Sequence, residues 1–266
     1  VIEIINADCR KVMQRKDWRK PDLTFADPPF NIGHEYGDYD DNMSEEAYRS
    51  LISEILSLLS KKTRVGGVVA LHGNDYLAEL YLEICRGLKL SRIAWINWHY
   101  RFGQNTWSNW IQTRCHLLVY RVGKPGKVTW NPEAVAVPSD RAAVYKDKRV
   151  EDYERGGMKV PGTVWGVPSD GLYWGRVQGS NKERIPGRPN QLPEVYLARI
   201  IQAYTNEDDL VFDPFCGTGT TAVACSALGR RCITTDVSKG ACEMAKDRVK
   251  RGAVRIDGAP KLGAPK

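Results

Sequence analysis

An open, doubly wound α/β sheet interrupted by one loop-rich insertion is the fold this sequence predicts. Three observations predict it: apolar strands alternate with helical stripes at both ends of the chain, two of those strands end in Asp-Pro, and all periodicity fails between Val122 and Asn190. With 266 residues, 42% hydrophobic and 27% charged, the chain can bury a sizeable core. No apolar run approaches the roughly 18 residues of a membrane span, which excludes a membrane protein.

Ile2 to Asn6 reads as a strand, Ala7 to Gln14 as a turn with a short helix, and Asp22 to Asp27 as a second strand. Pro28 and Pro29 have no N–H to give to a ladder, so pairing stops and Asp27 is delivered to the carboxyl edge of its strand. That edge is where open α/β sheets bind ligands. The stretch "NIGHEYGDYDDNMS" has glycines, acids and no period, and is expected to be a mobile loop with Ser44 as the next N-cap. From Glu45 to Ser60 the residues Tyr48, Leu51, Ile52, Ile55, Leu58 and Leu59 recur at three and four, which predicts a helix. Gly67 to His72 reads as a buried strand, Tyr76 to Leu88 as an amphipathic helix, and Arg92 to Trp98 and Cys115 to Arg121 as two further strands. Beyond the insertion, Leu197, Ile200, Ile201 and Tyr204 mark a helix. Asp209 to Asp213, Thr220 to Gly229, Arg231 to Thr235 and Ser238 to Lys250 then alternate strand and helix.

Between Val122 and Asn190, prolines and glycines break every pattern, and 12 Lys plus Arg stand against 8 Asp plus Glu. This stretch therefore supplies +4 of the formal +7 and is the place to look for a polyanion. Its aromatics, Trp130, Tyr145, Tyr153, Trp165, Tyr173 and Trp174, are expected mostly to form a mini-core within the insertion. Seven cysteines show no C-x-x-C and four histidines no H-x-x-x-H, so buried free thiols, structural imidazoles and no metal site are expected. The N-terminus has neither a basic segment nor a cleavage-type sequence. Its missing methionine reads as processing or trimming, and a cytoplasmic, nucleoid-associated location is expected.

The second Asp-Pro lies in "LVFDPFCGTGTTAVA", Leu210 to Ala224, a strand feeding glycines and a helix. Gly217, Gly219 and Ala222 fit G-x-G-x-x-G/A, and Asp236 ends the next strand, as a nucleotide-type site requires. A pyrophosphate would be repelled by Asp213 in that turn. A ligand carrying an ammonium and a sulfonium would be attracted by it, while Asp236 accepts from ribose hydroxyls. The turn fits a methyl donor, S-adenosylmethionine, better than a dinucleotide.

"ADPPF" together with "FDPFCGTGTT" resembles the amino-group DNA methyltransferases, the first as catalytic tetrapeptide and the second as donor loop. "INADC", "GGVVALHG", "NQLPEVYLARII" and "ITTD" are similar to further motifs of that family, and the order, catalytic motif first, resembles its β group. The resemblance implies a Rossmann-like methyltransferase sheet with a catalytic half at 1–121, a target-recognition region at 122–189, a donor-binding half at 190–251 and a frayed tail at 252–266. It implies catalysis by Asp27, Pro28, Pro29 and Phe30. It implies donor contacts from Asp8, Ala26, Asp27, Asn190, Gln191, Asp213, Pro214, Phe215, Gly217, Thr218, Gly219, Thr220, Thr221 and Asp236. Arg101, Arg176, Lys182, Arg184 and Arg188 are the expected contacts to double-stranded DNA. A homodimer and a cognate restriction endonuclease are further candidate partners.

The chemistry gives those residue types a reason. An exocyclic amine is a poor nucleophile because its lone pair is delocalised, so two acceptors must hold its N–H bonds toward a tetrahedral nitrogen. The Asp27 carboxylate and Pro28 carbonyl are the expected pair, with Phe30 stacked on a base extruded from the duplex. Asp at the first position of the tetrapeptide tilts the reading toward adenine N6 over cytosine N4. An RNA-guanine enzyme would carry its donor motif first, and protein-glutamine methylation goes with Asn in place of Asp27. An NAD-dependent oxidoreductase is opposed by Asp213 and by the few residues left after Thr221, and a binding module with lost catalysis by the intact tetrapeptide.

Overall fold

Consecutive residues of the central strands are apolar, so each strand must be covered on both faces. In β2 (Leu23–Ala26), Leu23 and Phe25 enter one core and Ala26 the other; in β3 (Val68–Gly73), Val68 and Ala70 oppose Val69 and Leu71 in the same way. A computed structural model describes residues 1–33, 41–100, 106–147, 157–166, 175–188 and 190–256. The sheet runs β1 (Ile2–Asn6), β10 (Arg231–Asp236), β9 (Leu210–Asp213), β2, β3, β5 (Arg114–Val122), β4 (Leu90–His99) and β8 (Val164–Trp165). The strands from β1 through β3 are parallel, and β5 is antiparallel to both β3 and β4.

Helices cover both faces. α1 (Cys9–Met13), α2 (Glu45–Lys62) and α3 (Asp75–Arg86) close one core, and α6 (Glu194–Tyr204) with α7 (Thr220–Ala227) close the other. Side-chain oxygens start α1, α2, α3 and α8 (Lys239–Arg251): Asp8, Ser44, Asn74 and Ser238 each accept a backbone N–H of the first turn. α6 is buried on nearly every side, including Glu194 and Arg199, well beyond the single stripe its spacing predicts. No helix among the described residues is long and apolar enough to cross a membrane, and all seven cysteines are buried and unpaired.

The insertion departs from the sequence expectation. Short pieces, α4 (Pro132–Val135), β6 (Val137–Pro138), α5 (Asp140–Ala143) and β7 (Met158–Lys159), occur in it, but Trp165 and Val135 join the main core, not a separate one. The reason is backbone pairing: β8 adds parallel to β4, which carries the Trp165 ring to within 5.7 Å of Tyr196. Asn131 likewise bolts the start of the insertion to α6, its side-chain amide donating to the Gln202 and Thr205 carbonyls, and Trp130 packs on Tyr204. Tyr145 is exposed; Tyr153, Tyr173 and Trp174 lie outside the described residues, as do most of the expected loop after Gly33 and the tail from 257.

Strand order fixes where a ligand goes. From β9 the chain turns through α7 to β10 on one side, and from β2 through α2 to β3 on the other. The crevice at the carboxyl ends of β9 and β2 is the topological switch point.

Candidate active site

Both Asp-Pro turns open at that crevice, because Asp27 follows β2 directly and Asp213 ends β9 beside it. The cavity over this edge measures about 1620 Å³. A pocket for one drug-sized ligand is roughly 300–1,000 Å³, so two substrates fit side by side.

Asp27 Oδ1 is buried with no hydrogen-bond partner among the described residues. Burial, and then the negative charge of Asp213, push its carboxyl well above the usual carboxylate range. Asp213 accepts the Phe215 N–H at 2.9 Å, yet burial pushes it up to about 7 against the opposing bonds from Thr221 and Phe215. Two carboxyls at the head of one cavity, each resisting ionisation, form a site that a bound cation would complement.

Side chains that the motifs do not reveal hold the Asp27–Phe30 turn. The Tyr48 hydroxyl donates to the Pro29 carbonyl. Asn31, at φ 54°, exchanges two hydrogen bonds with the Met43 backbone at 2.8 and 2.9 Å. The Asp41 carboxylate accepts the Asn31 and Ile32 amides at 2.9 and 3.1 Å. Phe30 lines the cavity with its ring 6.2 Å from that of His72. Burial, and then His116, push the His72 imidazole down to about 3, so it is neutral, and its Nδ1 lies 2.9 Å from the Tyr196 hydroxyl.

The glycine turn is tied to its expected acid: Gly217 N–H donates to Asp236 Oδ2 at 2.8 Å, and Ser238 N–H to Oδ1 at 2.9 Å. Burial raises the Asp236 carboxyl, and the two amides oppose the rise. Gly217 adopts φ 50° and lines the cavity with Thr218, Thr220 and Thr221, as do Pro214 and Phe215.

Other expected residues are placed differently. Gly219 does not line the cavity: at φ 80° it caps α7, and a Cβ there would come within 2.5 Å of the Ala245 Cβ, so this glycine serves helix packing. Ala26 is buried in the core and is not on the cavity wall. Asp8 reaches the wall, but Arg10 engages both its oxygens. Gln191 also lines it, while its amide braces the loop by donating to the Glu183 carbonyl and accepting the Ile185 N–H. Asn190, at φ 59°, accepts from Arg176 at 2.9 Å.

Arg176, Arg184 and Arg188 line the cavity rim, Arg176 with its guanidinium 5.3 Å from the Tyr100 ring centroid. Lys182 is exposed and off the wall, and Arg101 lies outside the described residues. No group of three potential metal ligands occurs among the described residues.

A mixed α/β sheet whose parallel switch point brings together two Asp-Pro turns, a glycine turn and a basic rim has the layout of a Rossmann-like transferase. Residues 21–247 match the N6/N4 family described as DNA methylase, and the chain belongs to that family. It is 30% identical to the type II methyltransferase M.HpaI of Haemophilus parainfluenzae over 92% of this chain and 73% of that one. It is 28% identical to the DNA adenine methyltransferase YhdJ of Escherichia coli (strain K12), over 98% and 84%. The cytosine-N4-specific PvuII DNA methyltransferase shares the fold, with a TM-score of 0.67, 12% identity, and coverage of 92% and 85%.

The methyl donor of this family is S-adenosylmethionine, and the residues fit it. The orphaned Asp27 oxygen and the raised Asp213 carboxyl want positive charge beside them. Asp213, Asp236 and the Gly217–Thr218 backbone would hold the donor.

Proposed function

We propose that the protein methylates the N6 amino group of adenine in double-stranded DNA, taking the base out of the duplex into the cavity beside Phe30. The observation that carries this reading is the buried, unpartnered Oδ1 of Asp27. Buried acceptors are paired in native proteins, so one left open at a binding edge fits a substrate N–H.

Asp27 and the Pro28 carbonyl would take the two N–H bonds of the exocyclic amine, localising the nitrogen lone pair. Tyr48, by holding the Pro29 carbonyl, keeps the turn aimed. When bound, the donor supplies an electrophilic methyl on a sulfonium. Positive charge near Asp27 and Asp213 favours their ionised forms, so a filled donor site makes Asp27 the stronger acceptor. With the donor bound, the N–C bond would form as the methyl's C–S bond breaks and a neutral thioether leaves; the proton lost by the nitrogen would pass to the Asp27 carboxylate that accepts its hydrogen bond, and no enzyme atom would be bonded. Arg176, Arg184 and Arg188 would neutralise phosphates at the rim. Likeness to M.HpaI, named a type II methyltransferase, supports a paired endonuclease.

Cytosine N4 is the second reading, because its amine offers the same two N–H bonds and a cytosine-N4-specific enzyme shares the fold. The test is to methylate unmodified DNA with labelled donor, digest to nucleosides and separate them by mass. Label in N6-methyladenine is the expected result; label confined to N4-methylcytosine reverses the choice of base.

A further inference from the structure

Between β4 and β5 stand two tryptophans that are exposed among the described residues. Trp107 is 99% exposed and Trp110 90%. The loop belongs to the active-site edge: β5 is antiparallel to β3, so its first residues stand beside the carboxyl end of β3. Its base is rigid. Tyr100 N–H donates to the Thr113 carbonyl at 2.9 Å, the Tyr100 hydroxyl to the Arg114 carbonyl at 3.1 Å, and the Arg114 fork grips Asp75 of α3 at 3.2 and 3.3 Å. At the tip, Ser108 N–H donates to the Thr106 hydroxyl at 3.2 Å and Trp110 N–H to Asn109 Oδ1 at 2.7 Å. Gln112 of the loop and Arg114 at the start of β5 line the cavity that holds Asp27 and Phe30.

We infer that Trp107 and Trp110 form a wedge that enters the DNA base stack and occupies the space left by the extruded base. This rests on the base-extrusion reading above and adds the residues that make extrusion affordable. Turning a base out sacrifices its stacking on two neighbours, and a planar apolar side chain replaces part of that contact. Charge selects the occupant. Arg176 and Arg184 line the cavity that Gln112 enters, and the chain carries a net +7, which suits a polyanion and disfavours a second copy of this basic chain.

The experiment uses the full chain and a duplex carrying its methylation site, mapped by long-read sequencing of DNA from cells expressing the protein. Rates are measured with labelled donor for wild type, Trp107→Ala, Trp110→Ala and the double variant, on the paired duplex and on one with an abasic site opposite the target. The wedge predicts that kcat/KM of the double variant falls by about 10-fold or more on the paired duplex and recovers to within about 3-fold of wild type on the pre-opened one. Trp107→Phe and Trp110→Phe should keep most of the activity. Equal loss on both duplexes, no loss on either, or a fall in sedimentation coefficient that tracks the loss, as for a dimer contact, overturns the wedge. Wild type that labels neither duplex overturns the base-extrusion reading with it.

Discussion

Arg248 of α8 and Glu194 of α6 meet at 3.1 Å with both side chains almost wholly out of water. Arg248 also donates to the Thr218 carbonyl and the Thr220 hydroxyl, each at 3.0 Å, while Glu194 accepts the Val254 and Arg255 amides at 2.8 and 2.9 Å. One ion pair thereby ties the donor loop to the start of α6 and to the segment after α8. A buried charge left alone costs about 3–5 kcal/mol. Arg248→Met should lower the unfolding free energy by that order in urea and weaken donor binding; unchanged values on both counts would reduce the pair to a bystander.

Asp27 is expected to serve the transfer step more than donor binding. Asp27→Ala should abolish methyl transfer while the donor Kd, measured by calorimetry, stays within a few-fold. A loss of about 10-fold or more in donor affinity from a folded variant would place Asp27 in the wrong site.

Asp213 carries a pH signature. Its folded carboxyl lies at about 7 against an ordinary 3.8, so between those values the native state holds a proton that the unfolded chain has released. Stability from this group is therefore lost as pH rises from about 4 to about 7. Asp213→Asn should unfold at higher urea than wild type at pH 8 and at the same urea near pH 4. A cationic donor favours the ionised form, so wild-type affinity should climb with pH toward about 7 and then level. The variant should bind weakly with no such slope; a slope that survived would belong to another group.

Tyr48→Phe removes the hydrogen bond to the Pro29 carbonyl and keeps the ring that stacks on Tyr76. A hydrogen bond worth about 0.5–1.5 kcal/mol should appear as a kcat about 2- to 10-fold lower. KM for the donor should hold. A change in KM alone would mean that Tyr48 shapes binding and not the aim of the turn.

Arg176→Ala, Arg184→Ala and Arg188→Ala test the rim. Each phosphate contact removed should flatten the plot of log affinity for DNA against log salt by about 0.9. An arginine that reads a base should instead relax the preferred site. Unchanged binding in all three would confine these residues to bracing, as Arg176 already braces Asn190.

The sheet was legible because its strands are apolar on consecutive residues and its helices are not, a contrast that survives without tertiary knowledge. Both Asp-Pro turns and the glycine turn could be read because one short segment carries each signal, whereas the Gly217 N–H bond to Asp236 could not. Arg248 could not, since its partners lie on elements 30 and 54 residues away, and neither could Tyr48 and Asp41, whose bonds to the turn cross an aperiodic loop. Trp165 was misassigned for a related reason: a two-residue strand is too short to show a period. Gly219 matched the fingerprint, and the approach of α8 alone already requires a glycine there.

The two strands that frame the site are made at opposite ends of the chain. Asp22 and Leu210 exchange hydrogen bonds at 2.8 Å across 188 residues, and that seam closes the sheet. At ribosomal speeds of about 5–20 residues per second, β2 waits roughly 10–40 s with one edge unpaired before β9 is made. The catalytic turn is therefore synthesised early and completed late, and the nascent chain offers a bare strand edge for that interval.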